Sequence, residues 1–119
     1  MEAKELRVGN LVKYDDSVYL HGGKITEIGN IIQGETDYYE PIPITEEWLL
    51  KIDQAKPESK LNLSFIFNSN CKMWVDKSNE KNHIWHYVWK GNYIQIKFLH
   101  HLQNIYYYLN NFEELTIKN

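Results

Sequence analysis

Five histidines, one cysteine and three adjacent carboxylate pairs are the residues of this chain whose types suit chemistry. Zinc needs three or four converging ligands. His83 and His86 lie three apart where a loop runs into a strand, and the neighbours His100 and His101 diverge by about a quarter turn on a helix, so neither pair is placed to share a metal. Cys71 falls on the apolar side of its strand, a core position rather than that of an activated nucleophile. Asp15-Asp16 reads as turn chemistry, Glu46-Glu47 as negative charge at a helix N-terminus, and Glu113-Glu114 as a solvated terminus. Gly22-Gly23 lacks the glycine spacing of a phosphate-binding loop. The expectation is therefore no metal, no cofactor and no catalytic group. A small hydrolase whose site is assembled only in the fold is the remaining enzymatic alternative.

The residues suited to binding are lysines interleaved with aromatics in the second half of the chain. Trp74 shares a predicted polar strand face with Asn62, Ser64, Lys72 and Asp76, where it either anchors a partner or packs beneath the final helix or the N-terminal module. His86, Lys90, Tyr93 and Lys97 form the polar side of a hairpin. Such a side tracks phosphates, or it only solubilises and guards a strand. Tyr107 falls away from the apolar stripe of the last helix, with His100, Asn104 and Asn111, and is expected to be exposed. Lys72, Trp74, His86, Lys90, Tyr93, Lys97 and Tyr107 are thus the candidate partner-binding residues.

The elements that position them follow from hydrophobic period. Short alternating runs at 11–14, 18–20, 24–28 and 31–33, separated by polar or glycine-containing turns, predict a bent antiparallel β-module over 6–44 of SH3-like type. Pro41-Ile42-Pro43 ends it. Thr45 as N-cap, Glu46 and Glu47 in the first turn and an Ile44–Leu49 staple predict a helix over 45–52, followed by a polar linker over 53–60. The period returns to two over 61–98, giving two hairpins. The first turns at Asn68-Ser69-Asn70 and sets Cys71, Met73 and Val75 against Phe67, Phe65 and Leu63. The second turns at Gly91-Asn92 and groups Trp85, Tyr87 and Trp89 with Ile94, Ile96 and Phe98 as core. Phe98, Leu102, Ile105, Leu109 and Phe112 mark one stripe of a helix over 99–110, with Tyr106 and Tyr108 packing beside it, and Leu115 to Ile117 adds an edge strand. The predicted class is α+β in a single domain, 1–119.

Charge divides the chain. Residues 1–59 hold twelve acidic and six basic side chains, and residues 60–119 hold four and seven, together with four of the five histidines and three of the four tryptophans. The net charge of −3 conceals this split. A surface built for a partner is the expectation. The lone cysteine excludes an internal disulfide and points to a cytoplasmic setting, and no apolar run approaches a membrane span. Arg7 is the only arginine, which disfavours bidentate recognition of phosphate or guanine.

Arg7-Val8-Gly9-Asn10-Leu11-Val12, then Pro41-Ile42-Pro43-Ile44-Thr45-Glu46-Glu47-Trp48-Leu49-Leu50, then His101-Leu102-Gln103-Asn104-Ile105-Tyr106-Tyr107-Tyr108-Leu109 with Glu113-Glu114-Leu115-Thr116-Ile117-Lys118 form an ordered set. It resembles a family of small proteins carried by prophages and mobile elements of Bacteroidota. The resemblance covers residues 1–52 and 100–119, while 53–97 departs from it. Within that class the chain is similar to an anti-CRISPR protein acting on a type VI-B RNA-guided ribonuclease. The resemblance implies a non-enzymatic inhibitor that binds the nuclease or its guide-RNA complex stoichiometrically inside the bacterial host cell. The alternative is a phage accessory protein that binds single-stranded nucleic acid.

Overall fold

The computed structural model describes residues 5–14, 24–29, 39–58, 64–78 and 81–118. Their elements are β1 (Leu11–Tyr14), β2 (Lys24–Glu27), β3 (Tyr39–Glu40), α1 (Glu46–Leu50), β4 (Lys56–Pro57), β5 (Ser64–Asn68), β6 (Cys71–Asp76), β7 (Ile84–Trp89), β8 (Asn92–Ile96) and α2 (Leu99–Leu109). The fold is α+β, with a three-stranded sheet in the order β2-β1-β3 and a five-stranded antiparallel sheet in the order β4-β5-β6-β7-β8. The strands expected at 18–20 and 31–33, on which closure of an SH3-like barrel depends, lie outside the described residues. No helix among the described residues is long and apolar enough to cross a membrane.

The five-stranded sheet is built by alternation. Phe65, Met73, Val75, Trp85, Tyr87 and Ile96 turn to one side and are buried against Leu99, Leu102 and Tyr106 of α2. The first hairpin turns more tightly than its sequence predicts, because Asn68 pairs with Cys71 and the register shifts between Ile66 and Asn68. The cause is local. Asn68 Oδ1 accepts the Asn70 N–H at 2.8 Å, an Asx turn that closes the loop around Ser69-Asn70. Phe67 becomes a bulge residue and still meets Tyr87 and Tyr106, with ring centroids 6.2 and 5.4 Å away.

The second hairpin turns at Lys90-Gly91 rather than Gly91-Asn92. Lys90 and Gly91 adopt φ of 46° and 82°, the positive pair of a type I′ turn, whose twist matches that of the strands. Trp89 therefore faces Asn92, Tyr87 faces Ile94 and Trp85 faces Ile96. The slip is two residues, so every side chain keeps its predicted side. Phe98 leaves the hairpin and becomes the N-cap of α2. Three predicted core positions change: Trp89 and Phe98 are only half-buried, and Ile94 is 39% exposed at the sheet margin.

Helix α1 begins as predicted, with the Trp48 N–H donating to Thr45 Oγ1 at 3.3 Å. It stops at Leu50 because Ile52 bridges Ile117 of the C-terminal segment, secured by Asp53 N–H to Thr116 O at 2.8 Å and Lys118 N–H to Lys51 O at 2.7 Å. The stretch predicted as a linker over 53–60 instead buries Ala55 and supplies β4, with Pro57 on the sheet edge, where a missing N–H costs no ladder bond.

The other side of α2 holds the N-terminal sheet by polar contacts. Gln103 Oε1 accepts the Leu11 N–H at 2.8 Å and Gln103 Nε2 donates to Gly9 O at 3.2 Å. Asn10, fully buried, accepts the Arg7 N–H at 2.7 Å and donates to Asn104 Oδ1 at 2.7 Å. A separate small core of Leu6, Val12 and Ile28 lies within the N-terminal module.

Candidate functional site

The side of the five-stranded sheet away from α2 carries the residues that alternate with the core. In register across β5 to β8 run Ser64, Trp74, His86 and Gln95, and beside them Ile66, Lys72, Val88 and Tyr93. Trp74 is 38% exposed and Tyr93 65%. The Trp74 and His86 rings lie 5.6 Å apart, tilted by 32°, and His86 meets Tyr93 edge-on at 6.4 Å. Three rings from three adjacent strands thus form one diagonal strip, the geometry in which cross-strand neighbours interact. Ile66 and Ile84 add exposed apolar surface at 41% and 39%. His86 Nδ1 is buried without a hydrogen-bond partner among the described residues.

Charge on this face is mixed. Lys72 Nζ lies 3.9 Å from Glu58 Oε1, while Lys56 and Lys97 are exposed at either margin. Asp76 Oδ1 accepts the Ser78 N–H at 2.9 Å. Hydrogen bonds from Ser78 are the main reason its carboxyl is held below the usual carboxylate range. Toward the hairpin tips the face dips into a depression of about 400 Å³, lined by Glu58, Ile66, Asn68, Lys72, Val88 and Lys90.

Of the seven predicted partner-binding residues, Lys72, Trp74, His86 and Tyr93 are brought together on this face, and Lys97 follows at the end of β8. Lys90 is a correction in part: it sits in the turn, with its Nζ 4.8 Å from the ring centroid of Trp89, which belongs to the opposite side of the sheet. Tyr107 does not belong to the face. It lies on α2, half-buried beneath Arg7, because α2 covers the other side of the sheet.

Two further residues of α2 depart from the pattern of its stripe. His100, which helical phase sets away from the apolar stripe, is nevertheless buried at 1% exposure, its ring stacked on Phe98 at 5.9 Å and set 4.2 Å from His101. Burial, and then the neighbouring His101, pushes its pKa down to about 4. Tyr108, expected to pack, is 62% exposed.

Sequence reasoning missed Asn10 and Gln103, whose only signal is a polar residue at a position the fold buries, and the half-buried Asn104 that joins them. It also missed a groove of about 820 Å³ lined by Leu11, Trp48, Lys51, Gln103, Glu114 and Ile117. Its walls come from segments too far apart in the chain for any local pattern to join them. Among the described residues no group of three or more His, Cys, Asp or Glu side chains is placed to hold a metal ion. No family model, curated protein or solved structure matches the chain.

Proposed function

We propose that this protein acts by occupancy, docking on a host protein through the open face of its five-stranded sheet, and that this host protein is a type VI-B RNA-guided ribonuclease or its guide complex. The observation that carries the docking surface is the exposed diagonal of Trp74, His86 and Tyr93. Rigid aromatic side chains with a polar edge dominate binding hot spots because they bury much area at little entropic cost. The partner class comes from the resemblance of the ordered segments at 7–12, 41–50, 101–109 and 113–118. Those segments contain Arg7, Asn10, Gln103, Asn104 and Glu114, which tie the N-terminal sheet to α2. The binding face lies within 53–97, where the resemblance ends. That division fits a shared scaffold carrying a partner-specific surface.

The test is co-expression with a type VI-B nuclease, its guide and a target RNA. Protection of the target is expected to titrate with the ratio of this protein to nuclease, without turnover, and to weaken for Trp74→Ala with Tyr93→Ala. Undiminished interference in the presence of excess folded protein sinks the type VI-B reading. Complete inhibition at strongly substoichiometric amounts favours an enzyme instead.

The same strip favours a second reading, in which bases of a single strand stack on Trp74 and Tyr93 while Lys56, Lys72 and Lys97 meet phosphates. If so, the logarithm of the binding constant falls against log salt by about 0.7 per phosphate contact. Free RNA that fails to bind at low salt eliminates this reading and leaves protein recognition.

A further inference from the structure

β8 is the last strand of the five-stranded sheet, and among the described residues its outer edge is covered along only part of its length. Lys97 O accepts the Ile44 N–H at 3.0 Å and the Leu99 N–H donates to Ile42 O at 2.8 Å. The segment 42–44 therefore pairs with 97–99, bridging Pro43 to Phe98. These bonds also fix which residues face outward. Backbone groups alternate along a strand, so if Lys97 bonds away from β7, Gln95 and Tyr93 do too, while Asn92, Ile94 and Ile96 bond β7. A two-residue turn at Lys90-Gly91 gives the same assignment, since it makes Trp89 and Asn92 the first bonded pair.

The covering segment departs at Thr45, whose extended backbone caps α1. Tyr93 and Gln95, both exposed, are left with two N–H and two C=O groups that have no partner among the described residues. Edge strands are commonly protected by an internal lysine, a proline or a bulge. Asn92-Tyr93-Ile94-Gln95-Ile96 contains none of these.

We propose that this edge accepts an extended polypeptide segment of the partner, added as a sixth strand, and that the segment carries acidic residues at its two ends. The backbone of Tyr93 and Gln95 supplies the hydrogen bonds. The charge requirement comes from Lys90 and Lys97, both exposed, which bracket the open stretch. A second copy of this chain is the wrong occupant. Antiparallel self-pairing centred on Ile94 sets Lys97 of one copy opposite Gly91 and beside Lys90 of the other, and like charges across a ladder destabilise it. A strand ending in carboxylates meets both lysines favourably. The inference stands apart from the aromatic face, since it concerns the edge and holds whichever protein that face engages.

The test is amide hydrogen exchange on the full chain, with and without a seven-residue peptide, acetyl-Asp-Thr-Val-Thr-Val-Thr-Asp-amide. In the free protein the Tyr93 and Gln95 amides are expected to exchange freely, while those of Ile94 and Ile96 are protected. The peptide is expected to slow exchange at Tyr93 and Gln95 by at least ~10-fold. A peptide with lysine at both ends, or one N-methylated at its central residues, is expected to do nothing. Gln95→Pro removes an outward N–H alone, so it is expected to keep the fold and lose the peptide effect. Protection at Tyr93 and Gln95 that rises with protein concentration alone, equal protection by both end-charge versions, no protection at millimolar peptide, or unfolding by Gln95→Pro would each overturn the proposal.

Discussion

The Arg7 guanidinium lies 3.9 Å from the centroid of the Tyr107 ring, joining the start of the described chain to the last turns of its final helix. The same guanidinium donates from Nε to Asn104 Oδ1 at 3.1 Å and grips both carboxylate oxygens of Glu114. The chain's only arginine is thus committed to the fold. A cation over a ring and a bidentate carboxylate pair both demand a planar, delocalised charge.

Arg7→Ala is accordingly expected to destabilise the protein by about 2 kcal/mol, from the lost ring contact and charge-assisted bonds together. Arg7→Lys is expected to restore less than half of that, because an ammonium offers no fork. Denaturant titration of the three proteins checks both statements, and full rescue by lysine would show that charge alone matters.

The two hairpin tryptophans on the core side are expected to differ. Trp85 is 5% exposed, so Trp85→Ala falls in the range of about 3–5 kcal/mol seen for deleted core aromatics. Trp89, half-buried at the hairpin tip, is expected to cost about half as much. Equal losses in thermal or denaturant unfolding would place Trp89 in the closed core.

On the opposite face, Lys97→Glu is expected to change stability by no more than ~0.5 kcal/mol, as exposed positions outside special contacts do, and Trp74→Ala by about 1 kcal/mol, from the lost cross-strand ring contact with His86. Circular dichroism melts measure this. A large loss for Trp74→Ala would mean that the ring is structural and that its exposure is not available to a partner.

His100 predicts an acid-side loss of stability. Its folded pKa, about 4 because of burial and the charge on His101, lies below the ordinary histidine value near 6.5. The unfolded chain therefore binds the proton more readily. Stability is fully present above about pH 6.5 and falls as pH drops toward about 4, at up to ~1.4 kcal/mol per pH unit. His100→Leu removes both unpartnered ring nitrogens and is expected to flatten the profile between pH 7 and 5. An unchanged slope in that variant would assign the acid sensitivity to other groups.

Much of this architecture was legible because it rests on local rules. The period of two determined which residues of the two hairpins face α2, and over the described strands, within 64–76 and 84–96, this survived a turn displaced by one residue and a register displaced by two; Leu61 and Leu63 lie outside the described residues. An even slip moves partners without exchanging faces. Thr45 followed by two glutamates marked the start of α1, since capping is a matter of adjacent residues. Lys72 with Trp74, and His86 with Tyr93, could be placed on the polar faces of their two hairpins because alternation fixes a face; that β6 pairs with β7 and joins the two into one surface is seen only in the structure.

What the tertiary structure decided is everything that depends on a second element arriving. Helical phase grouped His100 with Tyr107 on the side of the last helix away from its apolar stripe. Yet His100 lies buried against Phe98 and His101, and Tyr107 is covered by Arg7, because the N-terminal sheet and its approach chain occupy a side that the apolar stripe does not mark. The contacts that hold that sheet are hydrogen bonds from Gln103, Asn104 and Asn10, residue types whose burial no hydrophobic pattern records. The edge at Tyr93 and Gln95, unpaired among the described residues, is equally non-local. The segment that covers 97–99 turns away at Thr45, and a strand's sequence carries its faces but not its neighbours.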